Sequence, residues 1–475
     1  MLTYQDFEAA EDRANFITQA IMEHTGSEEY LLALDADEYD RQRNVTISNY
    51  VQTILTAYGE PVEDFTAANN RITSNFFHRL NTQRCAYSLG NGVSFTEHVE
   101  KIVDEKGIER SVDRTKEKLG NRFDTDLKRT GYKALIHGVC FGFWNVDRLH
   151  VFPLTEFVPF WDEETGVLRA GIRFWRLHPN KPMTAVLYTE DGYTRYRSGV
   201  GVNNMDFEAL DRRPKAYRTI TARTVADGEY IVGEMNYGSL PIVPLWGSDL
   251  HQSTLVGMRE KIDSFDLIRS GFANDITDCA QIYWILENYG GMSTEELARW
   301  RDKLKITHMA VADTDNGKVT PYTQDIPYQA RQIYLDSIRA GIYEDFGALD
   351  VHTVAAGATN DHIDAAYQPM DENADDFEYQ IIEFVQQVLR LMGIEDTPQF
   401  KRNRVSNQTE QTQMVISAAE YLDEETILQK LPFVTVDEVQ DIIARRDAEG
   451  QERLDDSEDD NPDEVVVVED EEATP

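Results

Sequence analysis

Three groups of residues in this 475-residue sequence have types and spacings that could do chemistry. Asp313-Thr314-Asp315-Asn316-Gly317 opens like a calcium loop, in which alternate side chains ligate a hard cation. Such a loop needs glycine at its sixth position and a bidentate Glu at its twelfth; here glycine stands fifth and Gln324 twelfth. Asn316-Gly317 between β-rich arms instead predicts a hairpin turn. The run Asp35-Ala36-Asp37-Glu38-Tyr39-Asp40 supplies carboxylates without the spacing of an oxygen cage, so a solvated loop is expected. His150, His178, His352 and His362 are scattered, and Cys140 between Val139 and Phe141 fits a buried thiol.

The common frames of cofactor and hydrolase chemistry are missing. Gly317-Lys318 is followed by Val319, without the glycine that opens a G-x-x-x-x-G-K-[ST] phosphate loop. G-x-G-x-x-G, G-x-S-x-G and H-E-x-x-H do not occur. Their absence weighs only weakly against an enzyme, but it excludes a standard ATP motor in this chain; no catalytic residue, metal ligand or cofactor is assigned.

Charge narrows the class further. The 85 acidic against 46 basic residues give a net charge of −39, so the general surface repels nucleic acid, whose phosphates are held by clustered Lys and Arg. Cys85, Cys140 and Cys279 are too few and too far apart for a disulfide framework, which fits a reducing compartment. The opening MLTYQDFEAAEDRANF is acidic where a secretory signal is basic and then apolar, and no apolar run reaches the roughly 18 residues of a membrane span.

The elements follow from periodicity. Residues 1–60 and Ala67–Tyr87 read as helices, followed by a polar connector at 100–112 and a helix ending near Gly138. From there to about Tyr230 the pattern is strand and turn. Between Phe141 and Trp161 the only basic side chain besides His150 is Arg148, so the dense aromatics predict a buried sheet, since a base-stacking platform interleaves them with cations. AVLYTEDGYTRYRS predicts a hairpin at Asp191-Gly192, and Pro241 and Pro244 are expected to break the chain. Long amphipathic helices are expected over 252–275 and 326–346, flanking a strand in IYWILENYGG and a helix that starts with the Ser293/Glu296 capping box. VHTVAAGATNDHID reads as a loop. A helix over about 372–393, a short strand in QFKRNRV and helices over 409–447 follow, before an acidic tail at Asp455–Pro475 that cannot bury enough surface to order.

Taken in order, these segments resemble the portal proteins of tailed double-stranded-DNA phages. AYSLGNGVSF (Ala86–Phe95) is similar to a helix-ending turn of that family, and GVCFGFWNVDRLHVFPLTEFVPFWDEETGVLRAGIRFW to its strand–Pro–Asp turn–strand segment. LPIVPLWG resembles the proline pair before its first stem helix, and MREKIDSFDLIRSGFANDITDCAQIYWILENYGG the stem helix entering the clip. DTDNGKVTPYTQDIPYQARQIYLDSIRAGIYEDFG resembles the clip exit and second stem helix, and FKRNRVSNQTEQ with YLDEETILQKLPFV the return to the wing. The T-N-x-S-G-x-A-like motif often found after the second stem helix is here AAGATNDHIDAA, which keeps Thr359-Asn360 and the small residues.

The resemblance implies an α+β portal fold: wing 1–250, stem helix 251–275, small α/β clip 276–325, second stem helix 326–347, tunnel loop 348–366, wing return 367–430, helical crown 431–454 and disordered acidic tail 455–475. It also implies a non-enzymatic ring of twelve copies at the capsid vertex, first assembled in the host cytoplasm. Its expected partners are the terminase large subunit, a head–tail adaptor, the major capsid and scaffolding proteins and double-stranded DNA, with no membrane. Val354, Ala355, Ala356, Gly357, Ala358, Thr359, Asn360 and His362 would face DNA from the tunnel loop; Glu295, Glu296, Arg299, Trp300 and Arg301 would face terminase or adaptor from the clip. Composition alone leaves two other classes open, a smaller virion connector and an acidic metal-dependent enzyme.

Overall fold

The computed structural model describes residues 2–55, 59–63, 68–103, 109–201, 205–224, 228–279, 283–287, 293–307, 318–322, 328–350, 360–404, 408–422 and 424–431, with 439, 442, 443 and 446. Two units are distinguished: residues 1–349 with 369–403, and residues 350–368 with 404–475.

The first unit is layered helix–sheet–sheet–helix, because both its main sheets carry apolar side chains on two faces. Val139–Asn145 is the centre of a three-stranded antiparallel sheet, with Ile242–Trp246 on one side and Arg148–Pro153 on the other. Its alternation divides two cores. Cys140 and Trp144 face a core shared with Phe123–His137 and the long helix Asn360–Leu391, through Leu127, Phe377, Ile381 and Phe384. Val139 and Phe141 face the other way, onto Phe157, Leu168, Val186 and Tyr188. Those residues line one face of a five-stranded antiparallel meander, Phe157–Trp161, Leu168–Trp175, Thr184–Thr189, Gly192–Ser198 and Phe207–Ala209. Its other face packs on Phe16, Ile17, Ala20 and Ile21 of the helix Arg13–Thr25.

The aromatics of residues 141–161 are thus core. Phe141, Trp144, Phe157 and Phe160 are fully buried, and the Phe141 and Phe157 rings lie 4.5 Å apart. The thiol of Cys140 is buried too, which pushes its pKa up to about 12. Gly142 has a specific reason: a Cβ there would lie 2.5 Å from the Phe384 ring, so only glycine lets the long helix approach the sheet.

Several expectations are corrected. Pro241 and Pro244 do not break the chain; Pro244 lies inside the strand Ile242–Trp246. Trp144 N–H donates to the Pro241 carbonyl and Gly247 N–H to that of Gly138, both at 2.9 Å, so Val243 and Leu245 direct their polar groups inward. The nitrogen of Pro244 therefore faces the free edge of the sheet, where no donor is needed. The connector at 100–112 contains the hairpin Val99–Val103/Glu109–Asp113, and Thr53–Leu55/Pro61–Glu63 form another within the N-terminal stretch read as helical. Lys318–Tyr322 pairs with Tyr283–Glu287, enclosing the helix Thr294–Thr307; the hairpin expected at Asn316-Gly317 falls on residues 308–317, which lie outside the described residues. The expected hairpin forms, but its turn lies at 190–191, one residue before Asp191-Gly192, because Gly192 already pairs with Thr189.

The second unit contains the helices Gln408–Ala418 and Glu424–Lys430, and the start of the helix Asn360–Leu391. Within it Arg404 pairs with Asp364 at 3.2 Å and lies over the Tyr367 ring.

Phe384→Ala removes a ring buried between helix and sheet and should cost about 3–5 kcal/mol. Tyr379→Ala, on the exposed side of the same helix, should stay within about 0.5 kcal/mol. Denaturant midpoints of the two variants against the parent check this contrast.

Candidate functional site

The helices Arg259–Cys279 and Tyr328–Phe346 run antiparallel, because Lys261 pairs with Asp345 near one end and Asp275 with Arg331 near the other. The first begins later than expected, at Arg259 rather than 252, and the second is described from Tyr328 onward. Their base is apolar: Ile262, Phe265, Ile338, Ile342 and Tyr343 pack with Phe76, whose ring meets Phe265 edge-on at 4.9 Å.

The first of these helices also carries a polar stripe. Arg259, Asp263, Asp266, Ser270 and Asn274 recur every three or four residues and so share a face. Arg259 donates to Asp35 at 2.8 Å; Asp263 accepts from the Tyr39 hydroxyl; Asp266 accepts from Asn44 Nδ2 at 2.9 Å. Ser270 Oγ accepts the Ile72 N–H at 2.9 Å, and Asn274 Oδ1 that of Asn70 at 2.6 Å. Asp266 is fully buried, and burial raises its carboxyl pKa despite hydrogen bonds from Asn44 and Ser74. Sequence reading followed the apolar period and missed this stripe, although its spacing was visible.

The acidic run at 35–40 is neither a loop nor a cation site. It ends the helix Glu28–Asp40, and its carboxylates take partners from the protein. Besides Asp35 with Arg259, Asp37 accepts from Lys133 Nζ at 2.6 Å and His137 Nε2 at 2.9 Å. Asp40 accepts from the Tyr132 hydroxyl and lies 2.9 Å from His78 Nδ1. Burial alone would raise the Asp37 pKa, but the His137 and Lys133 contacts outweigh it and hold it at about 2. His137 is shifted down, chiefly by burial, with the Asp37 carboxylate opposing that shift.

A second ionic hub fixes the chain after the long helix. Asp371, Asp375 and Glu378 share a face of Asn360–Leu391, and Arg402 bonds all three, with Glu378 engaged at 2.9 and 3.0 Å. Hydrogen bonding to Glu378 first, then to Asp375, raises the guanidinium pKa.

The candidate DNA-facing and docking residues are only partly placed. Val354, Ala355, Ala356, Gly357, Ala358 and Thr359 lie outside the described residues. Asn360 and His362 do not lie in a loop; they begin the helix Asn360–Leu391, with His362 exposed, because the helix starts well before the expected 372. Glu295, Glu296, Arg299, Trp300 and Arg301 share the helix Thr294–Thr307. Its cap forms as expected: Ser293 N–H donates to Glu296 Oε2 at 2.9 Å and Glu296 N–H to Ser293 Oγ at 3.3 Å. The Glu296 carboxylate is thereby committed to the cap, and Arg301 pairs with Asp302 at 3.0 Å. Glu295 and Arg299 are exposed, and Trp300 is half-buried.

Among the described residues no group of three or more His, Cys, Asp or Glu is arranged to hold a metal ion, and no helix is long and apolar enough to cross a membrane.

This α+β architecture, with its antiparallel pair of long helices, has known relatives. Residues 32–453 match the family described as phage portal protein, SPP1 Gp6-like, and the chain belongs to that family. The portal protein of Bacillus phage SPP1 is 26% identical over 412 residues, covering 81% of this chain and 77% of that protein. The portal protein of Clostridium phage phiCD119 is 24% identical over 405 residues, covering 77% and 82% respectively. A solved chain titled as the neck of an empty GTA particle, computed with C6 symmetry, aligns at a TM-score of 0.44 and 8% identity, over 75% of this chain and 90% of that one.

The Asp37 contacts make stability depend on pH. The folded pKa of about 2 lies below the ordinary 3.8, so the contribution is complete above pH 3.8 and is lost as pH falls through about 2. Asp37→Asn should cost about 2 kcal/mol at pH 7 and progressively less between pH 4 and pH 2. Denaturant titrations of both proteins across that range test the sign; a deficit that stays constant down to pH 2 contradicts it.

Proposed function

We propose that this chain assembles as a ring of twelve at the unique capsid vertex, forming the channel through which double-stranded DNA enters and leaves the virion. Membership of the portal family over residues 32–453 carries this reading. Each ring subunit contacts its two neighbours through different surfaces, and closure by rotation gives the ring.

The net charge of −39 suits a conduit. An acidic wall repels a polyanion and lets it slide, whereas each cation that neutralised a phosphate would add affinity and drag. Hydrolysis of ATP falls to a separate terminase large subunit, which docks, as does the head–tail adaptor, on the region around Thr294–Thr307, with Glu295, Arg299, Trp300 and Arg301 as contacts. Capsid and scaffolding proteins surround the wing. The small side chains of Ala355, Ala356, Gly357 and Ala358 allow close packing and several backbone states, and Asn360 and His362 hydrogen-bond phosphates without a permanent charge, which gives weak, reversible contact with DNA.

Deleting residues 354–361 tests the DNA-handling part. The ring should still assemble, while packaging or retention of DNA falls sharply in a complemented phage. Full genomes at normal efficiency would remove this segment from the DNA path.

A further inference from the structure

The helix Tyr328–Phe346 ends in a closed turn just before the chain leaves the first unit. Gly347 N–H donates to the Glu344 carbonyl at 3.0 Å and Ala348 N–H to the Tyr343 carbonyl at 2.9 Å, with Gly347 at φ 62°. Positive φ already favours glycine there, and space demands it: a Cβ would lie 2.0 Å from Asn373 Nδ2 and 3.1 Å from the Pro369 carbonyl oxygen.

The Asn373 amide fills that space. Its Nδ2 donates to the Phe346 carbonyl at 3.3 Å and to the Pro369 carbonyl at 3.1 Å. Phe346 precedes the excursion 350–368 and Pro369 is where the chain re-enters the first unit, so a single side chain ties the outgoing strand of the chain to the returning one. An amide nitrogen has two N–H donors, one for each carbonyl. Neighbouring side chains brace the knot: Gln83 Nε2 donates to the Leu349 carbonyl at 3.1 Å, and Arg84 Nη2 to the Asn373 carbonyl at 3.1 Å. The return end needs such help. Pro369 sits inside the helix Asn360–Leu391 and lacks the N–H that would bond one turn back, so the helix is weakest there.

We propose that Asn373, braced by Arg84 and seated in the space that Gly347 leaves, is a positioning residue, which fixes both roots of the excursion 350–368 and so governs how that segment handles DNA. The functional half of this inference rests on the reading of residues 354–362 proposed above; the structural half does not.

The test is Asn373→Asp, which keeps the shape but replaces two donors with a carboxylate facing two carbonyl oxygens. Amide hydrogen exchange on the assembled full-length protein should quicken about tenfold at Gly347 and Ala348, as expected for losing two hydrogen bonds, with Phe123–His137 unchanged. Packaged DNA per particle should fall several-fold in the same variant. Unchanged exchange at Gly347 and Ala348 overturns the knot; quickened exchange with parental packaging overturns its positioning role. If Asn373→Asp fails to assemble, Asn373→Ala, which removes both donors without adding a charge, is read by the same two measurements and the same criteria. A silent deletion of 354–361 would defeat the DNA reading alone and leave the exchange result to judge the knot.

Discussion

A chain with a net charge of −39 has to hold its own carboxylates together, and the last turns of the helix Glu28–Asp40 show how it does so. Asp35, Asp37 and Asp40 each meet a donor from a different element: Arg259 on the first long helix, Lys133 and His137 on the helix before the sheet, and His78 with Tyr132. Tyr39, on the same turn, donates to Asp263. One helix end therefore sets where the long-helix pair leaves the body of the protein. Partial burial weakens the screening of these contacts, and the hydrogen bonds each carboxylate accepts offset its desolvation.

The two central sheets supply the rigidity against which this anchoring works. Along Val139–Asn145, Cys140 and Trp144 enter the helix-backed core while Val139, Phe141 and Phe143 enter the inter-sheet core, so neither core can move without the other. The long helix Asn360–Leu391 then closes the outer core through Phe377, Ile381 and Phe384 and presents Asp371, Asp375 and Glu378 to Arg402. Apolar and ionic faces of one helix thus fix the three-stranded sheet and the returning chain together.

What was legible in the sequence was local. The aromatic strands, the hairpin at residues 190–191 and the Ser293/Glu296 cap declare themselves within a few residues, since each depends on neighbours in the chain. Pro244 misled because proline disrupts a central strand but suits the outward position of an edge strand, and only the pairing reveals which it occupies. Tyr283–Glu287 and Lys318–Tyr322 found each other across an intervening helix, which no turn signal announces. The acidic run was read as solvated because its donors lie at His78, Lys133, His137 and Arg259, far away in the chain. Of the candidate site residues, those on Thr294–Thr307 fell on the expected helix, while Asn360 and His362 proved helical because the long helix extends past Pro369 towards its N-terminus.

The central claim is that this subunit closes into a ring. Native mass measurement of the purified full-length protein tests it most directly. A discrete species of about twelve times the 54.4 kDa chain mass is the result the account predicts. Monomer or dimer alone at micromolar concentration, with the fold intact, would contradict it.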